Sequence, residues 1–200
     1  MEQIAGYQSG RVVTPRQVLR DNEHKMIIGG IMSSAGYDGG NTNYESYIRG
    51  GWLLGLITAT KKWVPCKRTT TTSSGAVTAL AVVNAAPFKV GDAIDIGADT
   101  NIVISAINYS TNTLTIPTTT VASGEAVVAR DGSQIARGIL LNDEVELYDY
   151  ERRTLKDKPI QILIGGLVYN SMLLGDVAAC VADTSGLIAG RIFRDSEYGF

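Results

Sequence analysis

The sequence predicts a mainly β protein with one short helix near its C-terminus and a small antiparallel β-barrel or sandwich inserted into it. Three patterns lead to this fold class. Apolar segments within residues 53–66 flank a Thr/Lys turn, as in a β-hairpin. Residues 76–129 contain short apolar runs at about ten-residue spacing, as in small barrels and sandwiches. Residues 160–164 are apolar almost throughout, which is typical of a strand buried on both faces.

Composition excludes several classes of function. The chain has 200 residues, of which 44% are hydrophobic and 19% charged, so it can bury a core. Its net charge is −2 and no basic block exceeds Lys67-Arg68, so we expect no nucleic-acid partner. No apolar run reaches the ~18 residues of a membrane span. The first residues lack the pattern of a signal peptide, so we expect synthesis in a cytosol.

Residues 1–48 are predicted to form an extended N-terminal arm, because their apolar residues follow no sustained period and their second half is rich in glycine. Tyrosine supplies contact area at low entropic cost, and β-branched residues suit strand addition to an exposed sheet edge. The candidate partner contacts in this arm are Ile4, Tyr7, Val12, Val13, Val18, Leu19, Tyr44 and Tyr47. The alternative is that these residues pack on the chain's own domain or oligomer.

The rest of the chain is interpreted as a base domain, residues 49–69 and 131–200, interrupted by an inserted β-domain, residues 70–130. Polar stretches flank the insert, and the first of them, residues 69–75, is interpreted as a linker without core-forming capacity. The strands predicted within the insert cover residues 76–84, 93–96, 101–107, 112–116 and 125–129.

After the insert, strands are predicted at residues 134–141, 144–150 and 160–164, and Gly165-Gly166 is expected to end the last of them. Residues 175–183 carry an aspartate near their start followed by good helix formers, which predicts a short helix. A final short strand is expected at residues 191–193.

The two cysteines, Cys66 and Cys180, lie far apart in the sequence and show no metal-ligand spacing. We interpret them as buried thiols that behave as small apolar residues.

No pattern of an enzyme is present. His24 is the one histidine of the chain, which excludes a metal cluster built from several histidines within one chain. Phosphate-binding, dinucleotide-binding and nucleophile-elbow motifs do not occur. The acidic residues within 143–146 are interpreted as a solvated turn. We therefore expect no catalytic residues, no metal, no cofactor and no small-molecule substrate.

Four segments resemble, in the right order, the lambda-type bacteriophage head decoration (capsid-stabilising) proteins. Residues 49–64 (RGGWLLGLITATKKWV) resemble that family's opening hairpin. Residues 135–145 (IARGILLNDEV) and 157–168 (DKPIQILIGGLV) resemble two of its later strands. The segment from Leu174 to Phe193 resembles its closing helix and C-terminal end.

The resemblance implies a small β-rich decoration-protein fold and a non-enzymatic role as a cement protein. It implies a homotrimer on the outer surface of a viral capsid, bound to the major capsid protein and made in the host bacterial cytoplasm. The N-terminal arm of this family orders on the capsid. The family has a short loop where this chain has residues 70–130, so the resemblance does not explain the insert.

Two other functions stay open. Tail and baseplate structural proteins share the short-strand, threonine-rich style. The insert is also compatible with an outward-displayed recognition module for carbohydrate or a host surface, although its aromatic residues are only Phe88 and Tyr109.

Overall fold

The computed structural model describes residues 18–19, 25–41, 46–182 and 192–195. These residues are mainly β, with one short α-helix near the C-terminus, as the sequence predicts. The helix α1 spans Val177–Ala182, and a 3₁₀ turn spans Asn170–Met172. The strands are β1 Met26–Met32, β2 Tyr47–Arg49, β3 Leu53–Leu56, β4 Trp63–Pro65, β5 Arg68–Thr70, β6 Gly75–Ala81, β7 Ala93–Ile96, β8 Asp99–Val103, β9 Ala106–Asn108, β10 Thr113–Val121, β11 Ala126–Ala129, β12 Ala136–Leu140, β13 Glu144–Glu146, β14 Tyr148–Asp149, β15 Thr154–Leu155, β16 Lys158–Tyr169 and β17 Ile192–Asp195.

Five strands close into a barrel in the order β1-β4-β3-β12-β16, with β1 pairing back onto β16. Each of these strands contributes a side chain to the apolar interior of the barrel, namely Met32, Leu54, Trp63, Leu140 and Ile162. On β3, β12 and β16 the adjacent residues Leu53, Ile139 and Leu163 point away from this interior. They pack with Cys180 of α1 in a second apolar cluster, which we call the outer core. Ile162 and Leu163 are therefore buried on opposite faces of β16, whereas Gln161 between two buried isoleucines is exposed. The predicted burial on both faces is confirmed at that central pair and not over the whole of residues 160–164.

The barrel strand β1 corrects the predicted arm, because Met26–Met32 lies within residues 1–48. Gly30 faces the barrel interior, where a Cβ atom would lie 2.5 Å from Ile162 Cδ1 and 2.8 Å from Trp63 Cδ1. Gly30 therefore permits a close approach within a strand, and the Gly29-Gly30 pair does not mark a loop. The structured part of the chain begins well before residue 48.

The strand β16 also continues where the sequence predicted a break. It runs through Gly165 and Gly166 to Tyr169. The register against β1 shifts between Met26, which pairs with Gly165, and Ile27, which pairs with Leu163. The two glycines thus accommodate an irregularity in the pairing, after which β17 adds in parallel to the end of the strand.

The inserted residues, together with β5, which begins just before them, form two antiparallel sheets, β6-β10-β9 and β5-β11-β7-β8. The two sheets share one apolar cluster whose buried members all lie between Leu80 and Val127. The predicted strand over residues 101–107 is divided into β8 and β9, because Ile104 and Ser105 donate their backbone N–H groups to Asp92 and Thr115 instead.

The polar stretch 69–75 is not the linker that the sequence predicted. Its first residues belong to β5, which pairs with β11, and Thr69 and Thr71 are buried. Each buried hydroxyl has a partner. The Oγ1 atom of Thr69 accepts the N–H of Asn84 at 3.0 Å, and that of Thr71 donates to the carbonyl of Ala81 at 3.2 Å. Threonine can therefore be buried here because its polar atoms are satisfied.

Asp176 joins the helix to this strand. Its Oδ1 atom accepts the N–H of Ala179 at 3.0 Å and so caps α1. Its Oδ2 atom accepts the hydroxyl of Thr69 and both the N–H and the hydroxyl of Thr70, at 3.1–3.2 Å. The side chain is buried, so these bonds fix α1 against β5.

A buried ion pair connects the barrel side of the chain to the insert. The Nζ atom of Lys67 lies 2.8 Å from both carboxylate oxygens of Asp92, and both side chains are almost fully buried. The rings of Tyr37 and Tyr109 also pack against each other, with centroids 5.7 Å apart and ring planes tilted by 36°. The insert is thus held by packed and charged contacts as well as by its chain connections.

Asp157 links the turn of the opening hairpin to the start of β16, and it should make stability depend on pH. Its carboxylate accepts a hydrogen bond from Lys62 and another from the N–H of Ser34 at 2.7 Å. These bonds, led by that from Lys62, lower the pKa of Asp157. Because the pKa of Asp157 is lowered on folding, its ionised carboxylate stabilises the fold at pH values above the unfolded-state pKa of about 3.9. This contribution is lost as the pH falls through the folded-state pKa.

We therefore expect Asp157→Asn to cost less than about 1 kcal/mol at pH 7, since the pair is partly exposed. The difference between variant and wild type should shrink as the pH falls below 4. Urea unfolding across pH 2–7 measures this, with Asp99→Asn on the exposed start of β8 as the control for a general charge effect. An equal difference at every pH would show that the carboxylate charge contributes nothing.

Candidate partner-binding surface

The strand β1 exposes an unusual group of apolar side chains. Met26 is 54% exposed, Ile27 38%, Ile28 37% and Ile31 45%. No residue from Met26 to Met32 is charged. Single exposed apolar residues are ordinary, but several together on one strand indicate an interaction site. We call residues 26–31 the β1 surface.

Among the described residues, the backbone of this strand is paired at only one position along its second edge. On the side opposite β16, the pairing within the described part of the chain is a single parallel bridge between Met32 and Trp63. The N–H of Ser33 continues it with a 2.8 Å hydrogen bond to the Trp63 carbonyl. Among the residues that the structure describes, β4 pairs with β1 at Met32 alone, at the end of the strand. An apolar strand with an open edge suits pairing with a strand of another molecule.

Two of the predicted contact residues are core residues. Val18 is 3% exposed and belongs to the outer core, and Leu19 packs against the same cluster. The Leu19 backbone forms an antiparallel bridge with Val168, and the N–H of Tyr169 donates to the Val18 carbonyl at 3.1 Å. They pack on the chain's own domain, which was the alternative, because the end of β16 offers them a pairing partner.

Tyr47 is half-buried on β2 and is held by its own chain. Its hydroxyl donates to the carboxylate of Glu146 and lies 2.8 Å from the hydroxyl of Tyr150. Burial and the bond to Glu146 raise the pKa of Tyr47, so its hydroxyl keeps the proton that it donates. Tyr150 packs edge-on against Tyr148 at 4.9 Å and is 43% exposed. The exposed side chain of this cluster is therefore Tyr150.

The other predicted contacts, Ile4, Tyr7, Val12, Val13 and Tyr44, lie outside the described residues. The β1 surface was not among the predicted contact residues. The signal was present in the run MIIGGIM, whose apolar residues could have been interpreted as a strand had the glycines not suggested a loop.

A bidentate ion pair joins Asp38, in the segment before β2, to Arg49. Asp38 is fully buried, and both of its carboxylate oxygens lie 2.8 Å from nitrogens of the Arg49 guanidinium. This bidentate bond raises the pKa of Arg49. It ties the segment before β2 to the strand itself.

Among residues 18–19, 25–41, 46–182 and 192–195, no group of three or more His, Cys, Asp or Glu side chains is arranged to hold a metal ion. No helix in the same part of the chain is long and apolar enough to cross a membrane. Comparison of the chain with protein-family models, curated proteins and solved structures found no match. The β1 surface and the sequence motifs therefore carry the functional proposal.

Proposed function

We propose that this protein is a non-enzymatic structural protein of a bacteriophage virion that binds the outside of the capsid as a trimer and stabilises the head. The observation that carries the proposal is the β1 surface, an uncharged apolar strand with an open edge. In an assembly such a surface can be covered by a neighbouring molecule. On a protein that acts alone the same surface would promote aggregation.

The sequence motifs support the same proposal. The segments that resemble head decoration proteins supply four of the five barrel strands, namely β3, β4, β12 and β16. The motifs are therefore adjacent in space as well as ordered along the chain. The insert and β1 lie outside these segments.

We assign the β1 surface to contact with a second copy of this chain. The strand is about 23 Å long at 3.3 Å per residue. Ile27 and Ile31 lie on the face opposite Gly30 and can form the centre of an interface that buries about 800 Å² on each partner. Because the strand is uncharged, it can meet another copy without burying an unpaired charge. In a closed trimer each copy places this surface against a different surface of the neighbouring copy, so each copy uses it once.

The capsid contact is proposed for the N-terminal residues, with Ile4, Tyr7, Val12 and Val13 as its apolar contacts. Ordering each residue costs about 1–2 kcal/mol of backbone entropy, and burying each large apolar side chain returns about 1.5–3 kcal/mol. One such segment is close to balance. Three on one trimer bind well, since the second and third attach at high effective concentration.

Fractionation of virions tests the function. Purified particles of the phage that encodes the chain are separated into heads and tails, and the chain is quantified in each by mass spectrometry, with the major capsid protein and a tail-tube protein as markers. We expect the chain in the head fraction, in a constant ratio to the major capsid protein. Recovery with the tails would refute head decoration in favour of a tail or baseplate role.

A further inference from the structure

The fold brings the two cysteines together. Cys66 and Cys180 are 114 positions apart in the sequence, yet their Sγ atoms lie 3.6 Å from each other. Both thiols are buried at 2% exposure in the outer core, between the barrel and α1. The sequence interpretation as buried, apolar-like residues holds for each one, but it did not anticipate that they form a pair.

Both backbones that carry the pair are well fixed. Cys66 directly follows β4, and its N–H donates to the carbonyl of Leu53 at 2.7 Å. Cys180 lies in α1, and its N–H donates to the carbonyl of Asp176, the capping residue, at 3.0 Å. A disulfide has a sulfur–sulfur distance of about 2.05 Å, so the two sulfurs need to approach by only about 1.5 Å. Rotation of the side chains and a small shift of the short helix can supply that movement.

We propose that Cys66 and Cys180 are an oxidation site, at which a hydroperoxide forms a disulfide that locks α1 onto the barrel. A small oxidant is required, because the sulfurs are reached only when the helix briefly opens. This inference does not depend on the proposed function of the protein.

The chemistry balances with hydrogen peroxide as the oxidant. One thiolate attacks a peroxide oxygen, forming a sulfur–oxygen bond as the oxygen–oxygen bond breaks, and the departing hydroxide takes a proton to become water. The second thiolate then attacks the resulting sulfenic sulfur, forming the sulfur–sulfur bond and releasing hydroxide, which is protonated to a second water. The two thiols lose two electrons and two protons, and one peroxide is reduced to two waters.

The bond would close a loop that contains the entire insert. Cross-links that close long loops restrict the unfolded chain most, so oxidation should raise the melting temperature of this 200-residue protein by about 10 °C. It would also fix the position of α1 and of the chain that follows it.

The test uses the full-length protein, first reduced and then treated with hydrogen peroxide in the folded state. After quenching, unfolding and alkylation, we expect both thiols to be protected and the intact mass to fall by two hydrogens, with a peptide pair joining Cys66 and Cys180. Dithiothreitol should restore both thiols and the original melting temperature. Matched variants Cys66→Ser and Cys180→Ser should form no intrachain cross-link and show no rise in melting temperature.

Three results would overturn the proposal. The first is that both thiols stay alkylatable at a peroxide dose that oxidises them in urea-unfolded protein, which would make the pair an inert part of the core. The second is a disulfide that joins two chains. The third is an intrachain disulfide that leaves the melting temperature unchanged. Should the serine variants fail to fold, the reduced and oxidised wild-type proteins still give this comparison.

Discussion

Replacing Lys67 by methionine should lower the free energy of unfolding by about 3–5 kcal/mol. The substitution keeps most of the apolar stem but leaves the carboxylate of Asp92 buried without its charged partner. That carboxylate also accepts the N–H of Lys89 at 2.9 Å, which holds it in place and prevents it from turning to solvent. Urea unfolding followed by circular dichroism measures the loss.

Two matched variants separate the ion pair from other effects. The double variant Lys67→Met with Asp92→Asn removes both charges and should recover most of the lost stability. Lys156→Met breaks an exposed pair with Asp149 and should cost less than about 1 kcal/mol. If Lys67→Met proves as mild as Lys156→Met, the Lys67–Asp92 contact is not a buried anchor of the insert.

Gly55→Ala should be nearly as damaging, at about 3 kcal/mol, the upper end of typical overpacking costs. Gly55 lies in the middle of β3, and a Cβ atom there would overlap the carbonyl oxygen of Ser133 and lie 2.6 Å from its carbonyl carbon. These are backbone atoms, so no side-chain rotation relieves the clash. The same carbonyl accepts the N–H of Lys67 at 3.2 Å, and a displaced Ser133 would lose that bond.

Gly29→Ala is the matched control, because it adds the same methyl group to a strand glycine that has open space around its Cβ position. It should change stability by less than about 0.5 kcal/mol. Since Gly29 lies in the β1 surface, the two variants are compared at the same protein concentration. A Gly55→Ala protein as stable as Gly29→Ala would mean that β3 and Ser133 are not closely packed.

Local patterns predict much of this fold. The β3–β4 hairpin follows from two apolar segments around a short turn, and α1 follows from Asp176 before a run of helix formers. The double burial of β16 follows from its continuous apolar run. Each of these features is determined by residues close together in the sequence.

The features that sequence reasoning missed depend on distant partners. Thr69 and Thr70 resemble part of a linker until Asp176, more than a hundred residues away, supplies the acceptor for their hydroxyl groups. Gly30 resembles loop punctuation until Ile162 and Trp63 occupy the space beside it. The Cys66–Cys180 pair and the short pairing of β1 with β4 likewise depend on contacts between distant parts of the sequence. Tertiary contacts override local composition at each of these positions.

The most direct test of the proposed trimer is the mass of the purified protein by light scattering. We expect a mass near three times 21.3 kDa for the wild type. The double variant Ile27→Lys with Ile31→Lys, which places charges on the β1 surface, should give a folded monomer of 21.3 kDa. Val103→Lys, at an equally exposed apolar position on the insert, should remain a trimer. A wild type that stays monomeric at every concentration, or a β1 variant that stays trimeric, would contradict the assignment.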